Sequence, residues 1–143
     1  MVRRLWGSDT VVGHGEVFRP AELPGLVAVD ADEVVGLLTY TLVPPDALEI
    51  VTIDAIRPRT GIGTALLDGV AEIGVELGAE QLVLTTTNDN IDALRFYQRR
   101  GFHLTGVRPG GVAHARKLKP EIPLVGMYSI PITDELFLAR PLS

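Results

Sequence analysis

No cysteine occurs in the 143 residues, which removes disulfides, thiolate nucleophiles and cysteine metal sites together. Histidine is almost as scarce: His14, His103 and His114 stand far apart and form no ligand spacing. No apolar run approaches the ~20 residues a membrane-spanning helix needs. The opening Met1-Val-Arg-Arg-Leu-Trp6 leads into polar residues and not into a signal-peptide core. A basic excess is missing too. The formal net charge of −5 argues against broad nucleic-acid binding, though it leaves room for local basic patches. There is no internal repeat, no low-complexity tract and no linker dividing two domains. The expectation is a soluble cytoplasmic protein folded as a single domain over residues 1–143, with no metal, nucleic-acid or membrane partner. A hydrophobic content of 46% at this length is enough for one substantial core.

What is present reads clearly from Pro24 onward. Before it, Leu5 and Trp6 read as closing a short helix, and Val11-Val12 and Val17-Phe18 as short extended pieces. Leu26-Val-Ala-Val29 and the run from Val34 to Val43 are strands around the tight turn Asp30-Ala-Asp-Glu33, which makes a β-hairpin. Pro44-Pro45-Asp46 breaks the chain before a strand at 47–55, expected antiparallel to its predecessor. A helix from Thr60 to Leu77 follows, with Ile62, Leu66, Val70, Ile73 and Leu77 on one face and Gly78 as its stop. Gln81 to Thr87 is β-rich again, so strand, helix and strand form a βαβ unit with parallel strands and a right-handed crossover. A second helix, capped by Asn88, Asp89 or Asn90, covers Ile91 to Arg100 and stops at Gly101. Phe102 to Val107 is a strand, and Glu135 to Ala139 the last one. Between them, 108–133 reads as a long irregular segment with four prolines and a short basic helix from Val112 to Leu118. Connections this long are often lids or binding loops.

The stretch from Leu48 to Leu67 organises the chain. An Ile- and Val-rich run has the composition of a strand buried on both faces; Pro58 cannot extend it; a helix then opens at Gly61-Ile-Gly-Thr64. A glycine turn feeding a helix start presents unpaired backbone N–H groups and the positive end of the helix dipole. That is an anion site suited to phosphate or pyrophosphate. A tight turn that holds nothing fits the loop equally well. Two familiar phosphate motifs are excluded: a dinucleotide fingerprint needs a glycine where Leu66 stands, and a P-loop needs Gly-Lys-Ser/Thr.

One strand downstream lies Asn90-x-x-Ala93-x-x-Phe96-Tyr97-x-x-x-Gly101-Phe102. Together with Gly61-x-Gly63, in this order and spacing, it resembles the GNAT superfamily of acyl-coenzyme-A-dependent N-acyltransferases across about residues 24–107. The resemblance implies an α/β fold with a mixed, mostly antiparallel central sheet, one parallel βαβ crossover and flanking helices. It implies acetyl-CoA as co-substrate, held where the parallel strands splay apart, and direct transfer of the acetyl group to a primary amine in a ternary complex, without metal. Carried over position by position, Arg59, Thr60, Gly61, Ile62, Gly63 and Thr64 match the pyrophosphate loop. Ile53 and Ala55 match strand positions whose main chain pairs with pantetheine, and Asn90 the position contacting the pantetheine arm. Tyr97 matches the residue that protonates the departing thiolate in many members.

Three departures stand against the pattern. Pro58, between Arg57 and Arg59, occupies the place where the family's loop usually begins with Gln or Arg, so one of those arginines is expected to supply the missing donor. About 23 residues stand where the family has a strand and one or two helices, elements that wall the acceptor pocket. A partner subunit, such as the second copy in a homodimer, would complete that wall. Residues 108–133 exceed the usual final connection.

Attack of an amine on a thioester needs a neutral amine, a polarised carbonyl and a proton for the leaving thiolate. Tyr97 is the candidate acid, the competing reading being core packing beside Phe96. Glu49, taken to share a face of its strand with Val51 and Ile53, is the candidate base through water, or else a solvent-facing strand start. Asp54, on the opposite face, reads better as capping the following turn. Asp134-Glu135 could hold a cationic amine, but a solvated strand end is the favoured reading. Arg95, Arg99 and Arg100 read as a solvated helix face, one of which could reach the 3′-phosphate of coenzyme A. Arg108, His114, Arg116, Lys117 and Lys119 form a basic stretch, a lid or a plain loop. His14 and His103 read as structural. The acceptor is a small-molecule or peptide amine. The rival function is a non-catalytic acyl-CoA-binding or sensor module, which would keep the glycine loop and Asn90 without depending on Tyr97; a nucleotide-binding regulatory domain comes third.

Overall fold

A computed structural model describes residues 2–5, 11–13, 16–18, 23–55 and 61–142. The fold is mixed α/β. Among the described residues, nine strands and three α-helices follow one another as β1 (Val2–Leu5), β2 (Val11–Gly13), β3 (Glu16–Phe18), β4 (Gly25–Asp30), β5 (Glu33–Val43), β6 (Ala47–Ala55), α1 (Ile62–Glu76), β7 (Gln81–Thr87), α2 (Ile91–Gln98), β8 (His103–Arg108), α3 (Gly111–Leu118) and β9 (Glu135–Pro141), with a single 3-10 turn at Met127–Ser129 before β9. Seven strands form a mixed sheet in the order β1-β4-β5-β6-β7-β9-β8, with one parallel pair. The strand–helix–strand spacing predicts such a pair. By contacts the chain divides into two compact units, residues 1–82 with 142–143, and residues 83–141.

In the first unit β1, β4, β5 and β6 pair antiparallel, and β2 and β3 form a small separate hairpin. The expected helix ending at Leu5 is a strand instead: Val2 to Leu5 pair with Ala28 to Gly25. Two arginines between Val2 and Leu5 cannot separate a strand from a helical turn; the open edge of β4 decides it. The β4–β5 hairpin turns on Ala31 and Asp32, both at positive φ (50° and 66°). Two left-handed residues make the two-residue turn whose twist matches its strands.

The helix α1 packs on β4, β5 and β6 through Leu66, Leu67, Val70 and Ile73, all buried. The predicted face holds, except that Leu77 lies past the helix end and is exposed. Gly78, at φ 80°, closes the helix as expected. Its N–H donates to the Val75 carbonyl and the Ala79 N–H to the Gly74 carbonyl, the paired bonds of a Schellman motif. Arg4 on β1 donates to Glu76 at 2.5 Å, which raises the Arg4 pKa. Burial pushes the nearby Tyr40 phenol up, against the opposing pull of Arg4.

β6 departs from its sequence reading. Ala47, Leu48 and Ile50 are buried, yet Val51, Asp54 and Ala55 are exposed. The register against β5 jumps from Tyr40↔Ile50 to Thr39↔Thr52, leaving Val51 unpaired. Such a bulge bends the strand and raises its local twist. It also reverses the expected alternation beyond it. Glu49, Thr52 and Asp54 pair with Thr41, Thr39 and Leu37 and so share one face, while Ile53 pairs with Leu38 on the other. The expectation that Glu49 and Ile53 share a face is therefore corrected, as is the placement of Asp54 opposite Glu49.

In the second unit β8 pairs antiparallel with β9, with a bulge at Thr105, whose hydroxyl donates to the Phe137 carbonyl. Leu138, Phe102, Tyr97 and Val112 are its buried apolar residues, joined by Ile132 and Leu84. Replacing Ala31 by Gly should raise stability by about 1 kcal/mol, since alanine at positive φ carries a steric cost that glycine lacks. Urea denaturation of the two proteins measures this directly.

Candidate functional site

In the first unit the helix start that the sequence singles out has no side-chain cap among the described residues. Gly61, at φ 81° and ψ 1°, is the N-cap of α1. A side chain there would be strained, whereas glycine adopts this conformation freely. Among the described residues no side chain caps the helix, and its first turn carries no acidic residue. The Ala65 N–H donates to the Gly61 carbonyl, so the intrahelical ladder begins there. A helix of 15 residues thus points the positive end of its dipole along the first-turn backbone of Ile62, Gly63 and Thr64. Those three residues are half-buried and Gly61 is exposed. Arg59 and Thr60, with Arg57 and Pro58, lie outside the described residues.

The strand positions expected to meet a cofactor lie beyond the Val51 bulge. Ile53 is half-buried, and Ala55 is exposed at the end of β6. Glu49 is half-buried on the face away from α1, before the bulge, and Asp54 is exposed on that same face. Thr39, fully buried, is hydrogen-bonded to Thr52 between them, hydroxyl to hydroxyl at 2.7 Å. This face of the unit carries two carboxylates and the hydroxyls of Thr39, Thr41 and Thr52, a grouping that the alternation of β6 read as one regular strand hides.

In the second unit, Asn90 is the cap chosen from the three candidates. Its Oδ1 accepts from the Ala93 N–H at 3.3 Å, and its Nδ2 donates to Thr86 Oγ1 at 3.3 Å. A cap of this kind is worth about 1 kcal/mol. Tyr97 is buried, its ring edge-on to Phe96 at 5.4 Å and to Phe102 at 5.5 Å. The aromatic pair at 96–97 is therefore packed, and the packing fixes where the Tyr97 ring lies. Arg100 is no solvated residue: Nη1 donates to the Phe96 carbonyl, and the guanidinium lies 3.9 Å from the centre of that ring. Arg95 and Arg99 are exposed as expected; His103, read as structural, is exposed on β8. His14 lies outside the described residues.

The segment 108–133 is ordered by polar side chains that the sequence reading passed over. Asn88 Oδ1 accepts from the N–H groups of Thr133 and Asp134, both at 3.0 Å, and Nδ2 donates to the Pro131 carbonyl at 2.9 Å. Asp89 is buried; its Oδ1 accepts from the Thr87 hydroxyl and its Oδ2 from the Met127 N–H. Arg116 leaves the basic stretch and donates to the carbonyls of Ile122, Pro123 and Ile132. His114, Lys117 and Lys119 stay exposed. Asp134 Oδ1 accepts from the Gly110 N–H just ahead of α3, so this member of the acidic pair has a structural partner. The turn that these bonds hold places Tyr128 and Ser129 at φ 57° and 59°, each a conformation costing about 1–3 kcal/mol outside glycine. Three Asx residues in a row, where a helix needs one cap, are the signal that could have revealed the Asn88–Asp89 anchor.

Among the described residues no group of His, Cys, Asp or Glu side chains could hold a metal ion, and no helix is long and apolar enough to cross a membrane.

The comparisons agree with this fold and these motifs. The model of the acetyltransferase (GNAT) family matches residues 6–102. The uncharacterized protein YxbD of Bacillus subtilis (strain 168) is 44% identical over 141 residues, spanning 98% of this chain and 88% of its own. A Bacillus subtilis acetyltransferase solved in complex with CoA superposes with a TM-score of 0.73 at 24% identity, over 85% of this chain and 78% of that one. An Elizabethkingia anophelis GNAT family acetyltransferase with acetyl-CoA bound gives 0.72 at 24% identity, over 83% and 76%. The chain belongs to the acetyltransferase (GNAT) family, and acyl transfer is the chemistry of its class.

Gly126 is where the ordering of the long segment can be tested. A Cβ on it would lie 2.1 Å from Asp89 Oδ2 and 2.8 Å from Ile132 Cδ1, and the carboxylate is held by two other bonds. Gly126→Ala should lower stability by about 1–3 kcal/mol and speed hydrogen exchange at the Met127 amide. An unchanged Met127 protection factor would contradict the anchor.

Proposed function

We propose that the protein is an N-acetyltransferase that moves the acetyl group of acetyl-CoA directly to a primary amine within a ternary complex. The observation that carries this reading is the start of α1: a left-handed glycine, no capping side chain and no acidic residue in the first turn, in a chain of this family. Backbone donors and a positive dipole end suit the pyrophosphate of coenzyme A, with Gly61, Ile62, Gly63 and Thr64 as its cradle. Arg59 and Thr60 complete that cradle in the proposal. Ile53 and Ala55, which pair with Leu38 and Gly36 beyond the Val51 bulge, offer their main chain to the pantetheine arm in the proposal, and Asn90 contacts the same arm.

The amine attacks the thioester carbon as its own proton leaves, through water, toward Glu49. The carbon–sulfur bond then breaks, and Tyr97 protonates the departing thiolate. The half-burial of Glu49 and the packed ring of Tyr97 support these roles: neither side chain is fully solvated. The acceptor is a small-molecule or peptide amine.

Isothermal titration with acetyl-CoA, NAD and ATP checks the cofactor. Acetyl-CoA alone should bind, and Gly61→Glu or Gly63→Glu should abolish binding by setting a carboxylate and a side chain among the phosphate donors. Tyr97→Phe should lower kcat by about 10²–10⁴-fold with acetyl-CoA affinity unchanged. Full activity in Tyr97→Phe would remove it as the acid, and acetyl-CoA binding without transfer to any amine would identify a binding module instead.

A further inference from the structure

From Leu124 to Tyr128 every residue except Gly126 carries a large apolar or aromatic side chain, and none of these is put away. Leu124 is 73% exposed, Val125 53%, Met127 48% and Tyr128 64%. Exposed apolar side chains on a loose surface turn would be unremarkable. This turn is not loose. The Gly126 N–H donates to the Ile130 carbonyl and the Ile132 N–H to the Leu124 carbonyl. The buried Asp89 carboxylate accepts from Met127, and Tyr128 is kept left-handed where glycine or asparagine would sit more easily. Backbone strain held in place by a buried carboxylate and backbone bonds, with apolar side chains turned outward, fits a surface kept ready for a ligand.

Its position says which ligand. The Tyr128 hydroxyl donates to Asp92 Oδ1 at 2.5 Å, and Asp92 stands in the first turn of α2. That helix carries Asn90 at its cap and Tyr97 one and a half turns beyond Asp92. The apolar turn is therefore seated on the element that bears the proposed acid, with an exposed carboxylate against its edge. An apolar surface beside a carboxylate is complementary to a cation with an apolar body. We infer that the Leu124–Tyr128 turn is the acceptor platform, and that the acceptor is a monoamine with an aromatic or comparably apolar body, not a polyamine or another many-hydroxyl, many-charge amine. The inference rests on the acetyltransferase reading above and names its substrate class.

The test titrates phenethylamine and, separately, putrescine into the full-length protein, free and saturated with coenzyme A. Phenethylamine should bind at least about tenfold more tightly than putrescine. Tyr128→Asn, which keeps a residue tolerant of positive φ, should weaken phenethylamine about tenfold, a loss of the size one aromatic contact supports. Met127→Ser should act in the same direction, and coenzyme A affinity should not move in either variant. Equal or tighter putrescine binding would overturn the inference, as would phenethylamine affinity indifferent to both substitutions. So would a dimer, seen by sedimentation, that Tyr128→Asn dissociates, because the turn would then be covered by a second copy. Loss of coenzyme A binding in the wild-type protein would instead strike the cofactor reading, while phenethylamine failing against a coenzyme A-loaded protein would strike the platform alone.

Discussion

A helix cannot leave its first backbone donors without partners and remain comfortable in water-poor surroundings, and the N-termini of α1 and α2 meet that requirement in opposite ways. At α2 the side chain of Asn90 accepts from the Ala93 N–H, and Asp92 adds a negative charge to the first turn. At α1, among the described residues, no side chain caps the helix and the first turn holds no carboxylate, so Gly61 contributes only its backbone. Everything else about α1 is settled. Leu66, Leu67, Val70 and Ile73 bury its inner face, and the Schellman bonds after Glu76 close its far end. A helix seated in this way, whose first turn carries no acidic residue, is the feature on which the proposed coenzyme A reading rests.

The second unit shows the reverse economy. Its polar side chains are turned inward and used on backbone: Asn88 serves three groups between Pro131 and Asp134, Arg116 serves three carbonyls, and Asp89 is buried to hold Met127. Side-chain bonds that close a loop in this way, anchored here by the buried Asp89, order the backbone they hold. What they rigidify here is a short turn with its apolar side chains facing out and two residues at positive φ. A segment that composition marks as irregular is thus among the most constrained parts of its unit. The same Asx run supplies the cap of α2, so the helix bearing Tyr97 and the outward turn share one anchor.

The parts that were legible in the sequence are those governed by local period and by single strong residues. The apolar spacing of α1, its stop at Gly78, the hairpin around Ala31-Asp32, the break at Pro44-Pro45 and the basic helix near 112–118 all depend on neighbours within a turn or two. The parts that were not legible depend on partners far along the chain. The bulge at Val51 arises from the register between β5 and β6, and no residue type announces it, so the assignment of Glu49 and Ile53 to one face followed the regular alternation and failed. Val2–Leu5 is a strand because β4 offers it an edge. Arg100 folds onto Phe96 where charge alone suggests solvent. Of the site, the glycine loop and the Asn90–Tyr97 spacing could be read in advance; the Asn88–Asp89 anchor could not, because side-chain-to-backbone bonds across more than 35 residues leave no periodic trace.

The most direct measurement of the central claim is the response of individual amides to the cofactor. The ¹⁵N-labelled protein, titrated in turn with coenzyme A and with pantetheine, which lacks the pyrophosphate, should show large shifts at the amides of Gly61, Ile62, Gly63 and Thr64 with coenzyme A only. Coenzyme A that binds while leaving those four amides unmoved, or that moves them no more than pantetheine does, would contradict the account at its foundation.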